Sequence, residues 1–94
     1  MNRNINNEIA EIAEVLAKQN KVDGIKNFIT ELLTKSELET LSKRWQILKM
    51  LKCGISQRDI AKELKVSLCK VTRGSHILKN KKSITATYLT KEKK

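Results

Sequence analysis

The sequence predicts an all-α protein of five to six helices. Three observations lead there. The chain of 94 residues has no proline, no internal repeat and no low-complexity linker. Its apolar residues recur at helical spacing in four or five segments. Helix-starting signatures, Thr34-Lys-Ser-Glu37 and Ser56-Gln-Arg-Asp59, stand directly before such segments. At this length residues 1–94 are expected to form a single domain.

The first helix is expected from about Asn4 to Lys18, with Ile5, Ile9, Ile12 and Leu16 on one face. Asn20 to Gly24 is expected to break it. A second helix carries Ile25, Phe28, Ile29, Leu32 and Leu33. The Thr34–Glu37 capping box starts a third, whose stripe reads Leu38, Leu41, Trp45, Leu48 and Leu51. Gly54 suits the residue just past its end, where the left-handed conformation is needed. Beyond Lys81 the tail is rich in Lys and Thr. It allows a weak sixth helix around Ile84–Leu89 and is expected to be weakly ordered to Lys94.

Between these lies the most informative stretch, Ser56 to Ser75 within a motif of about 56–80. It reads as a helix-turn-helix. Ser56 and Asp59 start a helix over about Gln57–Leu64, with Ile60, Ala61 and Leu64 on one face. Val66 sits in the turn. Ser67 caps a second helix, about Ser67–Asn80, with Leu68, Val71 and Leu78 expected inward. Gln57, Arg58, Lys70 and Thr72 point outward, with side chains able to meet base edges or phosphates.

Charge supports that reading. Residues 1–50 hold eight Lys/Arg against seven Asp/Glu, whereas residues 51–94 hold twelve against three, within a net charge of +10. The excess is confined to the half that carries the motif, which points to a polyanionic partner. No apolar run is long enough to span a bilayer, and the N-terminus lacks a signal-peptide pattern. Cys53 and Cys69 lack metal-type spacing and have only His76 as a companion, so no metal is expected. They suggest a reducing, cytoplasmic setting and ordinary packing. No nucleophile–base pair, phosphate-binding glycine loop or carboxylate cluster is present, so an enzyme is not expected. With three aromatic residues (Phe28, Trp45 and Tyr88) the core is thin. Much of the apolar surface is expected to pack against a second copy.

Two residues sit oddly. Gly74 falls inside the second motif helix, where glycine costs about 1 kcal/mol relative to alanine. It suits the close approach of either another helix or a ligand. Arg44 flanks Trp45 beside an apolar stripe, a place from which arginine ordinarily snorkels to solvent.

Leu33-Thr34, Glu37, Arg44, Gly54, Ser56-Gln57-Arg58-Asp59 and Thr72-Arg73-Gly74-Ser75 stand in one order and at characteristic spacing. With them the chain resembles the bacterial tryptophan repressor family over about Phe28 to Lys79. The resemblance implies an intertwined, all-helical homodimer. Its two heads would enter successive major grooves of a palindromic, double-stranded operator once L-tryptophan is bound as corepressor.

The same resemblance implies a ligand site. Arg44 and Arg73 look like the pair that sandwiches the indole, with Arg73 also meeting the carboxylate. Thr34 looks like a hydroxyl that holds the carboxylate from the other subunit, and Gly74 like the residue beneath the indole edge. Guanidinium planes stack well on aromatic faces and pair well with carboxylates. Ile77 stands where the family's model member has a serine that meets the ligand's amino group. For DNA, Gln57 and Arg58 match reading residues of the first motif helix, and Leu68, Cys69, Lys70 and Thr72 occupy contact positions on the second. Lys70 replaces a threonine there, Ala61 stands in place of a lysine, and the connection Gly54-Ile55-Ser56 is one residue shorter.

The expected function is a sequence-specific transcriptional repressor activated by L-tryptophan. Two alternatives stand beside it: a ligand-independent DNA-binding relative of the same fold, and a helix-turn-helix module that docks onto a protein partner.

Overall fold

The computed structural model describes residues 3–92, so the last two residues of the Lys81–Lys94 tail lie outside the described residues. Six helices and no strand are found among them: α1 (Arg3–Lys18), α2 (Val22–Leu32), α3 (Lys35–Lys52), α4 (Gln57–Leu64), α5 (Leu68–Lys79) and α6 (Ile84–Glu92). The chain divides into two compact units, one through Leu38 and one from Glu39 onward.

In the N-terminal unit α1 and α2 are both amphipathic. None of their described side chains is fully buried. Ile9 is 54% exposed, and Ile5 and Leu32 are also open. The break between them falls at Gln19–Lys21, earlier than the expected Asn20–Gly24. Asp23 lies in the first turn of α2, where its carboxylate complements the helix N-terminus. That favourable term offsets the glycine beside it. The start of α3 is a reciprocal capping box. Glu37 N donates to Thr34 Oγ1 at 3.1 Å, and Thr34 N donates to Glu37 Oε1 at 2.9 Å.

The second unit holds the core. Ile47, Ile60 and Val71, one each from α3, α4 and α5, are buried together. Met50, Leu51, Ala61, Leu64 and Val66 pack around them. The inward face of α3 differs from the expected stripe. Ile47 is only 2% exposed and Leu48 is buried, whereas Leu41 is 45% and Trp45 38% exposed. The helix turns Ile47, Leu48 and Leu51 toward Gly74 of α5, because only there can two backbones come close. Leu68 is likewise exposed rather than inward, so Val71 and the half-buried Leu78 carry the inner face of α5. Both cysteines are exposed, so neither belongs to the packed core.

Helix ends follow local chemistry. Gly54 has φ +89°. Its N–H donates to Leu51 O and that of Ile55 to Met50 O, the paired bonds of a Schellman ending. The α4 end is closed by Lys65 in the left-handed region, φ 58° and ψ 47°. A three-residue turn, Lys65 to Ser67, then leads into α5. The last helix is longer than expected and runs to Glu92. Ser83 Oγ accepts from Ala86 N at 3.0 Å, and Leu89 is buried.

Candidate nucleic-acid interface and ligand recess

The geometry of α4 and α5 starts from two serines. Asp59 N donates to Ser56 Oγ at 3.1 Å, and Lys70 N donates to Ser67 Oγ at 3.3 Å. Each bond satisfies an amide that the helix itself leaves unpaired. With both starts fixed and Ile60 and Val71 buried between the helices, the other faces are turned outward. Arg58, Leu68, Cys69 and Lys70 are exposed there.

Gln57 and Thr72 behave differently from that group. Both are half-buried. Thr72 Oγ1 donates to Gln57 Oε1 at 2.9 Å, tying the first turn of α4 to α5. The carboxamide's NH₂ group is then the part of Gln57 left for an outside acceptor. Thr72 also borders an open groove of about 580 Å³ along α5, with Leu68, Cys69, Arg73, His76, Ile77 and Asn80. His76 and Asn80 had no place in the sequence-based site. They join it because they follow Cys69, Thr72 and Arg73 at helical spacing.

A second, smaller recess of about 80 Å³ lies between α3 and α5. Arg44, Arg73, Gly74 and Ile77 all line it, so the structure brings together four of the five residues expected to hold a ligand. Thr34 is the fifth. It belongs to the other compact unit, where its hydroxyl oxygen caps α3 and keeps a proton to donate. Ile47, Leu48 and Lys70 complete the recess. Sequence reasoning missed them, although the spacing held the signal: Ile47 and Leu48 lie three and four residues after Arg44, and Lys70 lies three before Arg73.

Buried Ile47, Leu48 and Gly74 and half-buried Ile77 form the floor, and the three exposed cations Arg44, Lys70 and Arg73 form the rim. Gly74 serves this arrangement by closeness. A Cβ added there would lie 3.0 Å from Ile47 Cγ2 and 3.2 Å from Leu51 Cδ1. The close helix approach is therefore one reason for glycine at this position. An apolar floor below a cationic rim suits an aromatic group that carries a carboxylate.

Among the described residues no three His, Cys, Asp or Glu side chains are grouped to hold a metal ion. No described helix is long and apolar enough to cross a membrane.

The family model described as "Trp repressor protein" matches residues 7–93. Proteins named "Trp operon repressor homolog" from Xylella fastidiosa strains M23 and 9a5c are 37% identical over 65 residues, covering 68% of this chain and 71% of theirs. No solved structure matches the chain significantly. The chain belongs to the Trp repressor family, a family of transcription regulators rather than enzymes.

Proposed function

We propose that this protein is a DNA-binding transcriptional repressor, that it acts as a homodimer at palindromic operators, and that L-tryptophan switches it on. The observation that carries the reading is the shared use of α5. Leu68, Cys69 and Lys70 at the start of this helix are exposed, as is Arg58 of α4. The same helix walls the recess against α3 through Lys70, Arg73 and Gly74.

A ligand wedged between α3 and α5 thus acts on the tilt of the α4–α5 pair, which is read as a helix-turn-helix. In each head Arg58 reaches a guanine edge, Gln57 gives its NH₂ group to a base or phosphate acceptor, and the exposed start of α5 lies along the groove. The two heads must meet half-sites about 34 Å apart, the spacing established for helix-turn-helix dimers, tryptophan repressors among them. Arg44 and Arg73 hold the indole between guanidinium planes, Arg73 takes the carboxylate, and Thr34 of the second copy adds a hydroxyl. The affinity gained for DNA on binding tryptophan equals the affinity gained for tryptophan on binding DNA. The exposed Ile5, Ile9, Leu32, Leu41 and Trp45 supply apolar surface for the dimer.

One observation favours the ligand-independent alternative. The recess is small, and the Ile47 and Leu51 side chains crowd Gly74. Arg73→Leu separates the two readings. In a ligand-gated repressor it removes the carboxylate partner and one stacking face, so calorimetry shows no L-tryptophan binding and basal, salt-sensitive DNA association persists. Tryptophan binding equal to wild type in this variant contradicts the assigned pocket.

A further inference from the structure

Thr72 and Gln57 meet across 15 residues of chain, Thr72 Oγ1 donating to Gln57 Oε1 at 2.9 Å. Both ends of this bond stand on fixed backbone. Gln57 opens α4 directly after the Ser56 cap and shares that helix with the fully buried Ile60. Thr72 follows the fully buried Val71 on α5. Its branched side chain has few rotamers to choose from. A threonine hydroxyl carries one hydrogen. That hydrogen goes to Gln57, so none is left to donate to a phosphate or a base while the bond holds. Gln57 in turn has Oε1 directed at α5, which leaves its NH₂ group for an outside acceptor.

We infer that Thr72 is a positioning residue for the reading of bases: it holds the Gln57 carboxamide so that Gln57 selects an edge of hydrogen-bond acceptors, guanine or thymine, and forgoes adenine. This rests on the reading of α4 and α5 as the pair that contacts DNA. A glutamine reads adenine through both ends of its amide, Nε2 donating to N7 while Oε1 accepts from the N6 amino group. With Oε1 turned toward Thr72, only the donor half of that contact is available. Guanine N7 and O6 and thymine O4 call for donors alone. The bond also restricts a long side chain before DNA arrives, so less rotamer freedom is lost on binding.

The test is selection from a random duplex pool by the full chain in saturating L-tryptophan, followed by anisotropy titration of the selected duplex. Wild type is compared with Gln57→Ala, Thr72→Val, Thr72→Ser and the double variant Gln57→Ala/Thr72→Val. The base pair that Gln57 reads is the one whose preference is lost in Gln57→Ala. Wild type is expected to prefer guanine or thymine there. Thr72→Val keeps the side-chain shape and removes the hydroxyl. It is expected to raise adenine to parity at that position alone. It is also expected to weaken the wild-type duplex about fivefold, the size of one neutral hydrogen bond. Thr72→Ser is expected to keep the wild-type preference, and Thr72→Val is expected to change nothing at that position once Gln57 is alanine.

Circular dichroism checks that every variant keeps its helices. A brace that only joined α4 to α5 would weaken all duplexes alike, so an unchanged preference in Thr72→Val overturns the inference. An adenine preference in wild type, or an equal shift with and without Gln57, also overturns it. Wild-type preferences in Gln57→Ala do the same, and the helix-turn-helix reading then stands if Arg58→Ala shifts the preference at another base pair. A wild-type protein with no sequence preference overturns both.

Discussion

Gly74 meets two demands at one atom. It lets α5 approach Ile47 and Leu51 of α3, and it forms part of the recess floor. Alanine there gains about 1 kcal/mol of helix propensity. It also forces two core side chains to give way, an overpacking cost of about 1–3 kcal/mol. Gly74→Ala is therefore expected to lower stability by about 1 kcal/mol in urea denaturation. A more stable variant would show that α3 and α5 part easily. Gln57 and Thr72 mark where sequence reading fell short at this scale. Each was assigned to DNA as an independent side chain, yet they bond to each other at 2.9 Å across 15 residues. No local pattern encodes that pairing, because it depends on how α4 and α5 cross. Lys70 makes the same point: its spacing from Arg73 was visible, but that the pair also borders the recess was set by the packing of α3.

Helix boundaries were the most legible feature, because they depend on groups only a few residues apart. Thr34 with Glu37, Ser56 with Asp59, Ser67 with the amide of Lys70, and Gly54 each stand where the sequence placed them. The inner face of α3 was harder to read. Trp45 draws attention to a stripe through Leu41, but the buried seam runs through Ile47 and Leu48. A single helix offers both faces to the eye, and only the position of α5 chooses between them. At the end of α4 one residue carries strain. Lys65 adopts the left-handed conformation that costs a residue with a Cβ about 1–2 kcal/mol. Lys65→Gly is expected to raise stability by about 1 kcal/mol in thermal unfolding, with the α4–α5 geometry unchanged. A loss of stability would mean that the lysine side chain contributes more than its backbone costs.

At the scale of the molecule, the core explains only part of the chain. Ile47, Ile60 and Val71 knit α3, α4 and α5 together, while α1 and α2 bury no described side chain fully. In the proposed dimer their apolar faces pack against a second copy of the chain. Sedimentation at low micromolar concentration is expected to give about twice the chain mass of 10.8 kDa. A folded monomer under those conditions would contradict the dimer. The charge imbalance between the two halves was legible from composition alone, since it needs no geometry. What composition could not show is that the recess and the exposed residues proposed to meet DNA share α5, and the proposed function rests on that sharing. Its most direct test is the affinity of the wild-type protein for a duplex selected from random DNA, measured by fluorescence anisotropy at fixed salt with and without saturating L-tryptophan. The account predicts tighter binding with tryptophan, by roughly 5–150-fold for a coupling of ordinary size. Equal affinity in the two titrations would contradict it.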